Sequence, residues 1–365
     1  MKYTDNNRIS HRQLYRQLLL SMTAPFLLCA VGWEGLLGEN GVLGILLALP
    51  FVSLYVIFLV RLSYLYENPE RYLGKFLRLV LSAFYLIFVI LTGGYLLSVL
   101  EEIVPRYLVT GIDGRVLTVL SAAVCGLGTF QGMQKRGRMA EVSGGIVAGG
   151  VLLLYLLSVS QGDIGHFPQL YDGAIPVSTG ETWRAALHVF CIFIGIGLLP
   201  LLLPKVEKSS GAARPALRAV WMLGLILAAG LVLLQGAFGA ARLSYEKYPI
   251  VPLMAGANLP GDILGRFDVI WMGILLYSLL FSIGSLQFYG THILQSLHLE
   301  TLRWWVAAAM VFFSWVWLPD RTLQESYPWI LQFIFCPGFL VILVVLWIYG
   351  RKKGFHKLVH RRKED

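Results

Sequence analysis

Charge is what this chain has least of. Only 14% of its 365 residues are Asp, Glu, Lys or Arg, and 57% are hydrophobic; a soluble domain carries about 25% charged residues. With a mean hydropathy of +0.68, that excludes a water-soluble globular protein and leaves an integral membrane protein. Carboxylates are scarcer still. The 21 Asp and Glu fall almost entirely in loops or at the ends of apolar runs. No GxSxG, HExxH or P-loop occurs, so no catalytic set forms at depth and an enzyme is not expected. The four cysteines, Cys29, Cys125, Cys191 and Cys336, stand far apart inside apolar runs. Without CxxC or Cys/His spacing they indicate neither a disulfide framework nor a metal site; they read as buried structural thiols, and no cofactor is expected. Arg8, Arg12 and Arg16 precede the first apolar run, but no small-x-small cleavage site follows it, so that run reads as a retained helix. Low-complexity sequence is absent, and no interval has room for a soluble domain.

What is present is a series of ten apolar segments near the roughly 20 residues that a spanning helix needs. They cover about 13–34, 41–61, 77–100, 115–130, 140–160, 182–203, 217–238, 267–289, 303–319 and 328–349. The expected fold is therefore all-α, a single transmembrane domain over 1–350 with a basic tail at 351–365. With the N-terminus placed in the cytoplasm, 23 of the 30 Lys and Arg fall on the cytoplasmic side. That bias puts both termini inside and places the net charge of +9 beside anionic lipid headgroups. Nucleic acid is not an expected partner, because the tail RKKGFHKLVHRRKED is short and follows directly on a membrane helix. The longest outer connection, Gly239 to Arg266, carries apolar residues that suit a lid-like loop packed on the protein, and a plain solvated loop fits the same sequence.

The first segment is interrupted at its middle by Thr23-Ala24-Pro25. Pro25 has no N–H, and its ring clashes with the carbonyl four residues back. Ala24 before it is pushed away from helical dihedrals. The sixth segment is weakened at the same depth by Gly195-Ile196-Gly197, with Pro200 following. Interrupted helices at corresponding positions of two halves mark the substrate site of many transporters. The halves are then a repeat of five helices over about 13–160 and another over about 182–319, with a further helix at 328–349. Four polar features accompany the breaks. His188 lies inside the sixth segment, where an ionisable side chain faces a cavity or a partner and can carry a proton near neutrality. Ser278, Ser282 and Ser285 fall on one helical face and could hold a cation with carbonyls freed near Ala24. Gly93-Gly94 admit a close neighbour beside Tyr95, and Gly145 and Gly149 form a GxxxG that suits a helix contact. Arg266 and Asp268 are expected to pair at the outer end of the eighth segment.

Several short motifs, in order along the whole chain, resemble the B subunit, or permease, of GerA-type spore germinant receptors. Ile9-Ser10-His11-Arg12-Gln13-Leu14 is similar to that family's opening IS-x-x-Q-L/M. Arg138-Met139-Ala140-Glu141 resembles its entry to the fifth helix, and Phe167-Pro168-Gln169-Leu170 its loop after that helix. Gly195 followed by Pro204-Lys205-Val206 resembles its sixth helix and exit, and Arg266-Phe267-Asp268 with Trp271 its R-x-D…W pattern. The chain departs from the family at Ala24-Pro25, where glycine is frequent, and at Gly197, where an acidic residue is.

The resemblance implies the amino acid–polyamine–organocation superfamily, with a LeuT-like five-plus-five inverted repeat and broken helices one and six. It implies a small nutrient, an amino acid, bound between the breaks and moved or sensed by alternating access. Thr23, Ala24, Pro25, Gly195 and Gly197 would then surround the ligand, with Phe26, Tyr95 and Phe193 as apolar walls and His188, Ser278 and Ser282 as candidate coupling residues. A-type and C-type receptor subunits would be partners, in a spore inner membrane or a bacterial cell membrane. The alternatives are a permease of growing cells and a non-transporting scaffold with a packed core.

Overall fold

Lipid offers no partner for backbone N–H and C=O groups, so a chain this apolar must satisfy them internally as helices. The computed structural model describes residues 7–30, 36, 39–67, 69–109, 111–161, 178–207, 209–243, 245–256, 268–318 and 321–361. It is an all-α integral membrane protein. Ten helical units follow the ten apolar segments among those residues. They are α1 (His11–Ala24, continued by a π-helical turn Pro25–Ala30), α2 (Glu39–Arg61), α3 (Pro69–Tyr107), α4 (Gly114–Thr129) and α5 (Gly132–Gln161). After them come α6 (Thr179–Phe193, continued by a 3-10 stretch Ile194–Leu198 and short turns to Lys205), α7 (Ala213–Leu243) and α8 (Asp268–Ser296). The last two are α9 (Arg303–Trp315) and α10 (Leu323–Ile330, a π-helical turn Leu331–Phe335, then Cys336–Arg361). Seven of the described helices are long and apolar enough to cross a membrane by length and composition.

Several helices outrun the segments expected for them. α5 begins at Gly132 and carries Lys135, Arg136 and Arg138 on helical turns, because charged turns remain helical where a helix leaves the hydrocarbon. The ninth unit is shorter than expected. It ends at Trp315, and Trp317–Leu318 pairs antiparallel with Arg321–Thr322; Leu318 precedes a proline, which favours extended backbone.

One end of the bundle is tied by the N-terminal segment. Ser10 caps α1 in a capping box with Gln13, the geometry that an S-x-x-Q run specifies. Gln13 also donates to Glu141 of α5 at 3.2 Å, and Arg12 pairs with the same carboxylate at 3.2 Å. Two of the motifs noted above therefore touch. Ile9 bridges to Val206 just past α6, its N–H donating to the Lys205 carbonyl at 2.9 Å. Asn7 Oδ1 accepts from the Met133 N–H at 2.8 Å.

At the opposite end, the Lys247 ammonium meets Glu102 of α3 at 2.6 Å and Gln324 of α10 at 3.2 Å, while the Tyr248 hydroxyl donates to Glu102 at 2.9 Å. Burial, and then the neighbouring carboxylate, raise the Tyr248 phenol above its usual range. A short helix, Ile250–Gly256, follows with Ile250 and Met254 buried, so this part of the outer connection packs on the protein.

Candidate functional site

The two mid-depth interruptions are changes of helical pitch. At Pro25 the α-helix widens into a π-turn. The carbonyl that a residue-25 N–H would have reached belongs to Ser21, and the Ser282 hydroxyl lies 2.5 Å from it. One turn away the Ser278 hydroxyl donates to the Leu20 carbonyl at 2.6 Å and accepts from the Ala24 N–H at 3.1 Å. Serines of α8 thus satisfy backbone groups of α1. At Ile194 the opposite happens: α6 tightens into a 3-10 stretch. The Ile196 carbonyl, which Pro200 cannot serve, accepts from the Leu199 N–H, the shorter-range bond that 3-10 geometry supplies.

Between them lies a cavity of about 130 Å³. Pro25 and Phe26 line it from α1, Gly195 and Ile196 from α6, Thr92 and Tyr95 from α3, Ser282, Ser285 and Tyr289 from α8, and Tyr327 from α10. Tyr95 and Tyr327 stack with ring centroids 4.2 Å apart. The Tyr327 hydroxyl is bonded to Thr92 at 2.8 Å, and the Tyr95 hydroxyl meets the Cys29 thiol. No lining residue carries a formal charge. Polar contacts in the cavity come from hydroxyls, phenols and a thiol.

Of the expected site residues, Pro25, Phe26, Tyr95, Gly195 and Ser282 line this cavity. Phe193 stands one layer behind, edge-on to Phe26 at 4.7 Å. Thr23 is buried with its hydroxyl on the Leu19 carbonyl of its own helix, and Ala24 meets Ser278. Gly197 faces away: a Cβ there would fall 2.3 Å from Phe339 and 2.7 Å from the Tyr55 hydroxyl. Residues two apart point in different directions in either helix, about 120° apart in a 3-10 stretch, so the two glycines lie on different faces. His188 is half-buried in α6 and does not line the cavity. Gly93 and Gly94 take the close approach of α9 at Met310. In the GxxxG, Gly145 lies against Arg16 but Gly149 meets nothing within 4 Å, so the expected helix contact does not include it. Arg266 and the side chain of Asp268 lie outside the described residues, as does Phe167-Pro168-Gln169-Leu170.

Sequence reasoning missed two groups. Tyr327 was hidden in a segment assigned no role, although Tyr-Pro at 327–328 marks an irregular helix start. Arg136 reads from sequence as a loop charge, yet its guanidinium reaches the Phe281 carbonyl at 2.7 Å and the Ser285 hydroxyl and lies 4.3 Å over the Phe281 ring. A fixed positive charge therefore stands one hydroxyl away from the cavity.

An all-helical membrane protein with a largely apolar pocket between two interrupted helices has the build of a small-molecule permease. The sequence matches the family model of spore permeases, described as spore germination protein, over residues 34–324, and the chain belongs to that family. It is also similar to the spore germination protein YndE of Bacillus subtilis (strain 168), 24% identical over 214 residues, which are 57% of this chain and 57% of that protein; the match thus spans little more than half of the relative.

Proposed function

We propose that this protein binds one small, electrically neutral nutrient, an amino acid in its zwitterionic form, in the cavity between α1 and α6, and that occupancy biases an alternating-access equilibrium. The observation that carries this reading is a space of about 130 Å³ where both interruptions meet, lined by aliphatic and aromatic side chains with a few hydroxyls and by no charged side chain. A ligand with net positive charge would have no counter-ion there, and buried unpaired charge is costly. Arg136, behind Ser285, draws the carboxylate end toward α8. A scaffold with a packed core is less well supported, because the core holds this space.

The packing of the helices supports a LeuT-like inverted repeat. α2 packs on α6 and α7 on α1; α4 packs on α8 and α9 on α3; α2 packs on α7 and α3 on α8. Adding five to each number exchanges the members of the first two sets and maps each remaining pair onto itself, as in a two-fold repeat of five, although the packing of α1 on α8 has no counterpart of like extent between α6 and α3. In this reading Ser278 and Ser282 steady α1, and a coupling cation would enter only by displacing their protons from the carbonyls. The Lys and Arg bias supports cytoplasmic termini, and family membership supports a spore membrane and partner receptor subunits of the A and C types.

The reading is tested by thermal shift of the purified protein against small neutral amino acids, charged amino acids and sugars. A small neutral amino acid at 100 times its Kd stabilises by about 2.7 kcal/mol, and the effect disappears in Gly195→Leu, whose side chain enters the cavity. No stabilisation by any class, or equal stabilisation of the variant, removes the proposal.

A further inference from the structure

The end of the bundle tied by the N-terminal segment holds a second, separate cavity of about 70 Å³. Arg78 and Ser82 line it from α3, Pro200 and Pro204 from α6, and His292 and Ser296 from α8. Lys205, the last residue of α6, stands beside it with its ammonium 3.5 Å from His292 Nδ1 and 5.1 Å from the centre of the Phe288 ring. Lys205 is half-buried, and no carboxylate among the described residues pairs with it. A cation withdrawn from water is ordinarily paired. Here its polar neighbour is a neutral acceptor, and the adjoining wall adds the positive field of Arg78.

We propose that this inner cavity binds a phosphate-class oxyanion. The donors around it are the Lys205 ammonium, the Arg78 guanidinium and the Ser82 hydroxyl, with the His292 imidazole beside them; the Ser296 hydroxyl already donates to the Ile293 carbonyl at 2.7 Å. They come from three helices and so approach a common centre from different sides. That arrangement matches a tetrahedral anion with acceptor oxygens in every direction; a planar carboxylate would leave several donors unused. The space holds more than one water, whose share of liquid volume is about 30 Å³, and suits one small ion. Bound there, the ion ties this end of α6 to α3 and α8, and α6 carries one of the pitch changes at the central cavity. The ion therefore holds this end of the bundle closed. The same chemistry is available from free inorganic phosphate or from the phosphodiester of an anionic lipid in the adjoining leaflet.

The test uses the full-length protein in nanodiscs. Thermal midpoints are compared in phosphatidylcholine with inorganic phosphate or with chloride at equal ionic strength, and in phosphatidylglycerol without phosphate. A saturable rise with phosphate, at least halved in Lys205→Gln and in Ser82→Ala but kept in Lys135→Gln at an exposed lysine, establishes an ion site. A rise seen only with phosphatidylglycerol, and reduced by the same two substitutions, assigns the site to a lipid headgroup. No rise in either setting, or a rise of equal size in wild type, Lys205→Gln and Ser82→Ala, overturns the proposal. If Lys205→Gln does not fold, Ser82→Ala carries the comparison alone. Amino-acid stabilisation is read in the same samples, so failure of the central site is distinguishable from failure of this one.

Discussion

Helices α1 and α6 meet the same physical problem and solve it differently. Each has a proline that deletes a backbone N–H near mid-depth, where water is absent. α1 widens into a π-turn and hands its exposed carbonyls to hydroxyls of another helix, Ser278 and Ser282. α6 narrows into a 3-10 stretch and satisfies the Ile196 carbonyl from its own Leu199. The first repair is made between helices and the second within one. The position of α1 is thus coupled to α8, whereas α6 keeps its irregular backbone when its neighbours shift. Under the alternating access proposed above, the first contact must be carried along or broken, and the second need not be.

The two glycines of α6 give the largest contrast. Gly197→Leu forces a side chain into Phe339 and Tyr55, and overpacking of this kind costs about 1–3 kcal/mol or more. We expect a lowered thermal midpoint and poor recovery of folded protein. Gly195→Leu, whose nearest neighbour for a Cβ is Phe88 at 3.7 Å, keeps its fold and loses ligand. If both variants are equally destabilised, the two residues do not lie on different faces. Next comes Ser282→Ala, which leaves the buried Ser21 carbonyl without its donor at a cost of about 1–3 kcal/mol. Pro25→Ala returns an N–H to that carbonyl, so Ser282→Ala costs less in the Pro25→Ala background. A coupling of about 0.5–3 kcal/mol in this double-mutant cycle is the expected result, and additivity would show that the hydroxyl serves some other group.

The sequence reveals the irregular helices because proline and glycine act locally and their effects are dictated by missing atoms. Pro25 and Gly195 could be placed on a cavity from their depth alone. Gly197, read as part of the same site, falls on another face whatever the pitch: residues two apart are separated by about 160° in an α-helix and about 120° in a 3-10 helix. Ser278 and Ser282 were legible as hydroxyls near freed carbonyls, but whether they meet those carbonyls directly depends on how closely α1 and α8 approach. Arg136 was misread for a related reason. Its position in a basic run says loop, while the long side chain carries the charge several ångströms along the helix to Ser285. Tyr327 entered the site through stacking on Tyr95, a contact across more than 200 residues of chain that no local pattern encodes.

Smaller effects sharpen the comparison further. Pro200→Ala restores an N–H within α6, where the helix has already repaired itself, so the stability change stays within about 1 kcal/mol, and it adds to that of Ser282→Ala within about 0.5 kcal/mol, as for sites that share no partner. Non-additivity would mean that the two repairs are linked through the cavity. At the opposite end from the N-terminal tie, Lys247→Met breaks a pair that water partly screens, and the cost is about 0–1 kcal/mol. Its value lies in what it does to access. Lys247 and Tyr248 join the outer connection to α3 and α10 through Glu102 and Gln324, so loosening that join speeds ligand exchange at the central cavity while leaving the thermal midpoint almost unchanged. Stopped-flow exchange of a bound amino acid measures this. An unchanged rate would mean that the ligand does not pass beneath the short helix Ile250–Gly256, and that the route to the cavity runs from the end where Ile9 pairs with Val206.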